Sequence, residues 1–196
     1  MRKIILILLP LLCISFRSCL NQRDIEDKIK AKVKNDSEYI ENLMKPFKVK
    51  YKKRIKECIL NYSYKYGLDP KMFARLVKTE SGFDRLAKSH KGARGLTQVI
   101  PKWWNREIYF CRDKKMGKYL LGLKTKVYHD QYYFWIGISI EVGARILRKH
   151  LKTYKHLPTA LCVYNLGAAN KYFLHLVENP GEMLTYPYVK KIIESY

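Results

Sequence analysis

Apolar residues recur at Ile55, Cys58, Ile59, Tyr62 and Tyr66. Steps of three and four put all five on one helical face, and Gly67 supplies the stop. Asp69 and Pro70 then form a helix start, because an aspartate accepts a hydrogen bond from the free first-turn amides and a proline has no amide to satisfy. The helix that follows carries its apolar stripe at Met72, Phe73, Leu76 and Val77, with Lys71, Arg75 and Lys78 off it. One turn further the stripe reaches position 80, which is a glutamate.

Residues 89–95 are polar and punctuated by glycine, which predicts a loop, and 96–100 read as a brief helical turn ended by Pro101. Helical spacing returns at Ile140, Ala144, Leu147 and Leu151, and again after Pro158 through Ala160, Leu161 and Tyr164, with Gly167 as the stop. Two further helices are expected over 168–177 and 187–195. Period-two alternation is nearly absent and no repeat is visible, so the fold class is mostly α in a single domain. Residues 102–137, rich in aromatic side chains set between charges, form an insertion in which a small β or irregular element is allowed.

The chain start has a different pattern. Arg2 and Lys3 precede an apolar run from Ile4 to Ile14 that is too short to span a bilayer, so residues 1–20 read as an export signal. The run closes on Phe16-Arg17-Ser18-Cys19, a cysteine after a small residue, as in bacterial lipoprotein signals. Lipidation of Cys19, secretion without lipid and a retained N-terminal anchor all stay open, with Arg17 counting against the first. Residues 21–50 are polar and charged with scattered apolar positions such as Ile40, Leu43 and Met44, and are expected to be a tether leading into a helix. The remaining 51–196 would be the working domain.

A size of 196 residues with 47% hydrophobic and 29% charged positions excludes a disordered or membrane-embedded chain overall. Besides Cys19, the exported part keeps Cys58, Cys111 and Cys162, which implies no disulfide framework; Cys58 and Cys162 fall on apolar faces and read as core thiols. The net charge of +22 predicts attraction to a polyanion, whether nucleic acid, anionic lipid or a carboxylate-bearing wall polymer. The lysines are spread along the whole chain, so solvated faces are the simpler account, and the export signal argues against nucleic acid. No His-Glu-x-x-His or paired-cysteine pattern points to a metal.

Glu80 is the residue with chemistry to offer, because burial raises a carboxyl pKa and a carboxylic acid protonated near neutrality is what a general acid requires. Periodicity alone leaves the commoner readings open, a glutamate at a solvated helix end or one paired with a lysine. The surrounding string bears on the choice: Glu80-Ser81-Gly82-Phe83, then Ala87-Lys88-Ser89, then Gly92-Ala93-Arg94-Gly95-Leu96-Thr97-Gln98. With Tyr66-Gly67-Leu68-Asp69-Pro70 before it, Ile140 and Gly143 later, and Ala160 ahead of Tyr164-Asn165-Leu166-Gly167, it resembles the soluble lytic transglycosylase family of the goose-lysozyme-like fold over roughly residues 60 to 190.

The resemblance implies a lysozyme-like helical domain acting on peptidoglycan glycan strands in the cell envelope or periplasm. Glu80 would be the catalytic acid and base, Gln98 and Asn165 would contact the sugar or order the cleft, Tyr164 would hydrogen-bond at the glutamate, and Ser81 and Ser89 would line the site. Glycoside hydrolysis by the usual routes needs two carboxylates about 5 to 9.5 Å apart. Neither Asp84, beside the motif, nor Glu141, expected on a charged face opposite Ala144, is a convincing partner, and both read as structural or solvated. With one carboxylate the substrate supplies the nucleophile, its muramyl 6-hydroxyl closing on the anomeric carbon to a 1,6-anhydro sugar with no water, metal or cofactor.

Departures from the family pattern are Thr97 in place of the usual methionine, Leu166 in place of alanine, the long stretch from Pro101 to Ile140, and a closing Leu184-Thr185-Tyr186-Pro187-Tyr188-Val189 that matches only in part. Trp103 and Trp104 read first as core and second as sugar-stacking rings. A muramidase on the same fold and a wall-binding protein assisting a flagellum or secretion apparatus are the rival readings.

Overall fold

The computed structural model describes residues 22–104 and 135–193. The export segment 1–20 with Cys19, Cys111, and most of the 102–137 insertion lie outside the described residues. The main helices are α1 (Gln22–Met44), α2 (Lys52–Tyr66), α3 (Pro70–Ser81), α4 (Ile136–Tyr154), α5 (Leu157–Leu166), α6 (Lys171–Glu178), α7 (Pro180–Thr185) and α8 (Pro187–Ile193). Among the described residues β pairing is limited to two isolated bridges, Lys88 with Arg94 and Arg94 with Val99, and the fold is mostly α. No helix among them is long and apolar enough to cross a membrane.

α3 is the central helix. Asp69 caps it by accepting from the Met72 amide at 2.6 Å, with Pro70 in the first turn. Met72, Phe73, Leu76 and Val77 are all buried, the last three completely. Each large apolar side chain taken out of water in this way contributes about 1.5–3 kcal/mol. α2 and α8 pack on this helix, α4 lies against α2, and α5 bridges α4 to α8. One core joins them, with a smaller cluster of Val99, Ile138, Val142 and Ile146 beside it. Cys58 and Cys162 are buried free thiols, each pushed up to about 11 by burial.

Three expectations need correction. The expected tether is helical from Gln22 and belongs to the core: Ile29, Val33, Ile40 and Met44 are buried, and the buried Asp36 accepts from the Tyr64 hydroxyl at 2.6 Å. Pro101 opens a helical turn at 101–104 instead of ending one, because Val99 is drawn out into its bridge with Arg94. Glu141 does not lie on a charged face; it is 2% exposed and held by Lys65 and the Tyr66 hydroxyl of α2. That ion pair joins α2 to α4 and serves structure. The last third also divides more finely than expected, with the separate short helix α7 between α6 and α8.

Candidate active site

Glu80 sits in the last turn of α3. Just beyond it the chain reverses through two consecutive left-handed residues, Gly82 (φ 58) and Phe83 (φ 66). A phenylalanine in that conformation is strained by about 1–2 kcal/mol. Its burial offsets the strain: Phe83 is 2% exposed and meets Phe47 edge-on, with ring centroids 5.7 Å apart. The elbow turns the chain off α3 into the loop whose Ser89, Ala93 and Gln98 line the cleft and which forms its floor.

That loop is hydrogen-bonded throughout. The single Ser81 hydroxyl hydrogen is shared between the carbonyls of Leu96 at 2.9 Å and Val77 at 3.1 Å, the Ser89 hydroxyl accepts from the Ala93 amide at 3.0 Å, and the Gln98 side-chain amide donates to the Gly95 and Ala87 carbonyls at 2.9 and 3.1 Å. Gln98 itself has φ 46. The Thr97 hydroxyl donates to the Ser139 carbonyl on α4 at 2.7 Å. α4 comes this close because residue 143 is glycine: a Cβ there would stand 2.6 Å from the Thr97 Cβ.

A cleft of about 1040 Å³ opens over this floor, and Glu80, Ser89, Gln98, Tyr164 and Asn165 all line it. Ser81 does not; it works behind the wall, tying α3 to the loop. Tyr164 also differs from expectation, since its hydroxyl donates to the Thr97 carbonyl at 2.9 Å. The hydroxyl given to Glu80 is that of Tyr188 on α8, 2.5 Å from Oε1. Asn165 accepts at 2.7 Å from Tyr186, another cleft residue that no reading of single positions singled out. His90 is exposed at the rim.

Burial pushes the Glu80 carboxyl up to about 7, against the opposing effect of the Tyr188 hydrogen bond, which favours the ionised form. Glu80 is the only carboxylate among the described residues lining the cleft. Asp84 accepts from the Leu86 amide at 2.8 Å within its own turn, and Glu141 is spent on α2. His150 also went unnoticed in the sequence. It lines the cleft between the rings of Trp104, Tyr154 and Tyr164, at centroid distances of 5.7, 6.4 and 6.5 Å. Burial, and then the Lys149 charge, press its pKa down to about 4, so the ring is neutral at physiological pH.

Fold and site together define a helical domain that presents one partly buried carboxylic acid, Glu80, to an open cleft. Residues 57–174 match the family described as Transglycosylase SLT domain, and the chain belongs to that family. Among characterised relatives, a membrane-bound lytic murein transglycosylase C of Mannheimia succiniciproducens is 28% identical over 109 residues, covering 54% of this chain and 29% of that protein. A transglycosylase of Enterobacteria phage PRD1 is 32% identical over 111 residues, 57% of this chain and 34% of the relative. The Haemophilus influenzae membrane-bound lytic murein transglycosylase C is 29% identical over 75 residues. The chain thus spans about a third or less of the length of the relatives it matches.

Proposed function

We propose that this protein is a peptidoglycan lytic transglycosylase that cleaves the β-1,4 bond between N-acetylmuramic acid and N-acetylglucosamine, with Glu80 as its single acid and base. The carrying observation is the Glu80 carboxyl, raised to about 7 in a cleft whose described lining holds no second carboxylate. A group with this midpoint is part protonated at neutral pH, which suits it to give a proton in one step and take one in the next.

Glu80 protonates the glycosidic oxygen as the bond from that oxygen to the muramyl C1 breaks. The muramyl 6-hydroxyl oxygen then bonds to C1, and the Glu80 carboxylate takes the hydroxyl proton. The acid is restored, and the product is a 1,6-anhydro sugar formed without water. Holding the 6-hydroxyl close to C1 makes the attack intramolecular, which replaces the missing second carboxylate. Gln98 and Ser89 keep the floor rigid beneath the sugar, and Asn165 presents its side-chain amide to the strand.

The catalytic unit in this reading is residues 51–196 with α1 packed onto it. The apolar segment of residues 1–20 exports the chain to the envelope, where Cys19 is the candidate lipid carrier, and the net charge of +22 holds the protein against carboxylate-bearing wall or anionic membrane. Binding to purified wall that salt leaves unchanged would sink the electrostatic part. A service to flagellar or secretion machinery is compatible with local wall opening.

The test is mass spectrometry of fragments released from purified peptidoglycan by the protein and by Glu80→Gln. Anhydro-muramyl products from the wild type alone are expected. Reducing-end products would replace the proposal with a muramidase on the same fold, and no release at all with a wall-binding role.

A further inference from the structure

His150 has two ring nitrogens, and among the described residues neither makes a hydrogen bond: its contacts there are ring contacts with Trp104, Tyr154 and Tyr164. Its planes stand almost perpendicular to Trp104 (81°) and Tyr164 (88°), so the imidazole is wedged in position by its neighbours. An apolar side chain would fill such an aromatic wedge as well, whereas a histidine adds a hydrogen-bond donor and an acceptor at the cleft wall. The same ring lines the cleft that Glu80 faces. A polar ring held by its neighbours in the wall of an open cleft, with no hydrogen-bond partner among the described residues, is what a ligand-binding residue needs.

We propose that His150, beside the indole of Trp104, forms a saccharide subsite in which an imidazole nitrogen hydrogen-bonds a hydroxyl or acetamido group of an N-acetylhexosamine ring. A neutral imidazole carries one N–H donor and one lone-pair acceptor, and hydroxyl and acetamide groups offer both counterparts. Burial keeps the ring neutral, so it presents that pair throughout the physiological range and gives no attraction specific to anions. The cleft, at about 1040 Å³, has room for more than one pyranose ring, so the subsite can be filled together with the position at Glu80. Tyr164 ties the two: its ring meets His150 and its hydroxyl holds the Thr97 carbonyl of the floor. The inference rests on the reading of the cleft as a glycan site and adds to it a residue and the chemistry that residue selects.

The experiment uses the full chain carrying Glu80→Gln, so that no strand is cut, with the N-acetylglucosamine tetramer as probe at fixed pH. Side-chain NMR follows the ring signals of His150, assigned by their loss in His150→Phe, alongside the amide signals of Gln98 and Asn165. The expected result is that the tetramer shifts the His150 ring signals. Binding should weaken about tenfold in His150→Phe, the loss of one well-made hydrogen bond, and recover in part in His150→Gln, which restores a donor and an acceptor. Movement of Gln98 and Asn165 with a still His150 would overturn the subsite and leave the glycan reading intact. No movement anywhere would overturn the subsite and count against the glycan reading as well. Should His150→Phe fail to fold, the ring shift, assigned through His150→Gln, decides alone.

Discussion

The Tyr188 hydroxyl reaches the Glu80 carboxylate at 2.5 Å from a position 108 residues further along the chain. It counters the burial that drives the carboxyl upward, and burial in turn raises the Tyr188 phenol well above its ordinary value, so that this hydroxyl stays a donor. Removing it in Tyr188→Phe costs the ionised form most, because a carboxylate accepts that hydrogen bond more strongly than a neutral acid does. The Glu80 midpoint should rise further, and the alkaline limb of the pH–activity profile should move up by about one pH unit. A profile of glycan release against pH, run for both proteins, checks the sign.

Glu80 also makes stability depend on pH. Its folded midpoint of about 7 lies above the ordinary 4.5, so its contribution is fully favourable below 4.5 and is lost as pH rises through 7. At pH 8 the folded state bears an ionised carboxylate at a cost on the order of 3 kcal/mol. Glu80→Gln, which never ionises and still accepts from Tyr188, should raise the unfolding midpoint markedly at pH 8 and hardly at pH 4. Denaturant titrations at the two pH values measure the difference.

Arg75 holds the far end of the helix that carries Tyr188. On α3 with Glu80, it donates through Nε to the Ile192 carbonyl at 2.5 Å and through a guanidinium nitrogen to the Tyr39 hydroxyl at 3.0 Å. A cation beside the C-terminal carbonyls of α8 also complements that end of the helix. Arg75→Met should lower stability by about 2 kcal/mol and shift the alkaline limb in the same direction as Tyr188→Phe. The double variant should show no further shift of that limb, because both changes act through one hydroxyl. A purely structural Arg75 would lower stability and leave the limb where it was.

Gly143→Ala should be poorly tolerated. The new methyl would meet the Thr97 side chain at 2.6 Å, and neither can yield without moving the floor or α4. A loss of about 1–3 kcal/mol is expected, with a fall in activity larger than the fall in folded fraction, since Gln98 is the next residue. Thermal unfolding and turnover measured on the same sample separate the two.

Much of this arrangement is visible in the chain itself, for reasons that differ by element. α3 announces itself because its stripe, cap and stop are local, so Glu80 falls at the end of a helix that can be drawn from residues 69 to 82 alone. α1 does not, because Ile29, Val33, Ile40 and Met44 are sparse among charges and a lone apolar residue every turn or two resembles a solvated linker until a partner surface is present. Glu141 misleads in the opposite way: its burial depends on Lys65 and Tyr66 of another helix, a pairing that no periodicity encodes. The hydroxyl at Glu80 is assigned to Tyr164 by resemblance and belongs to Tyr188, whose segment departs from the family pattern. His150 leaves no mark at all, since one histidine on a helix carries no spacing to read.

The Tyr188 bond also has a consequence in time. Synthesis runs from the N-terminus, so Glu80 leaves the ribosome more than a hundred residues before the hydroxyl that tunes it, and after it come the floor, α4 and the whole of α5 to α7. Until α8 is made and docked through Arg75, the carboxylate has no Tyr188 beside it. The carboxylate would therefore reach its final midpoint only when nearly the last part of the described chain has docked.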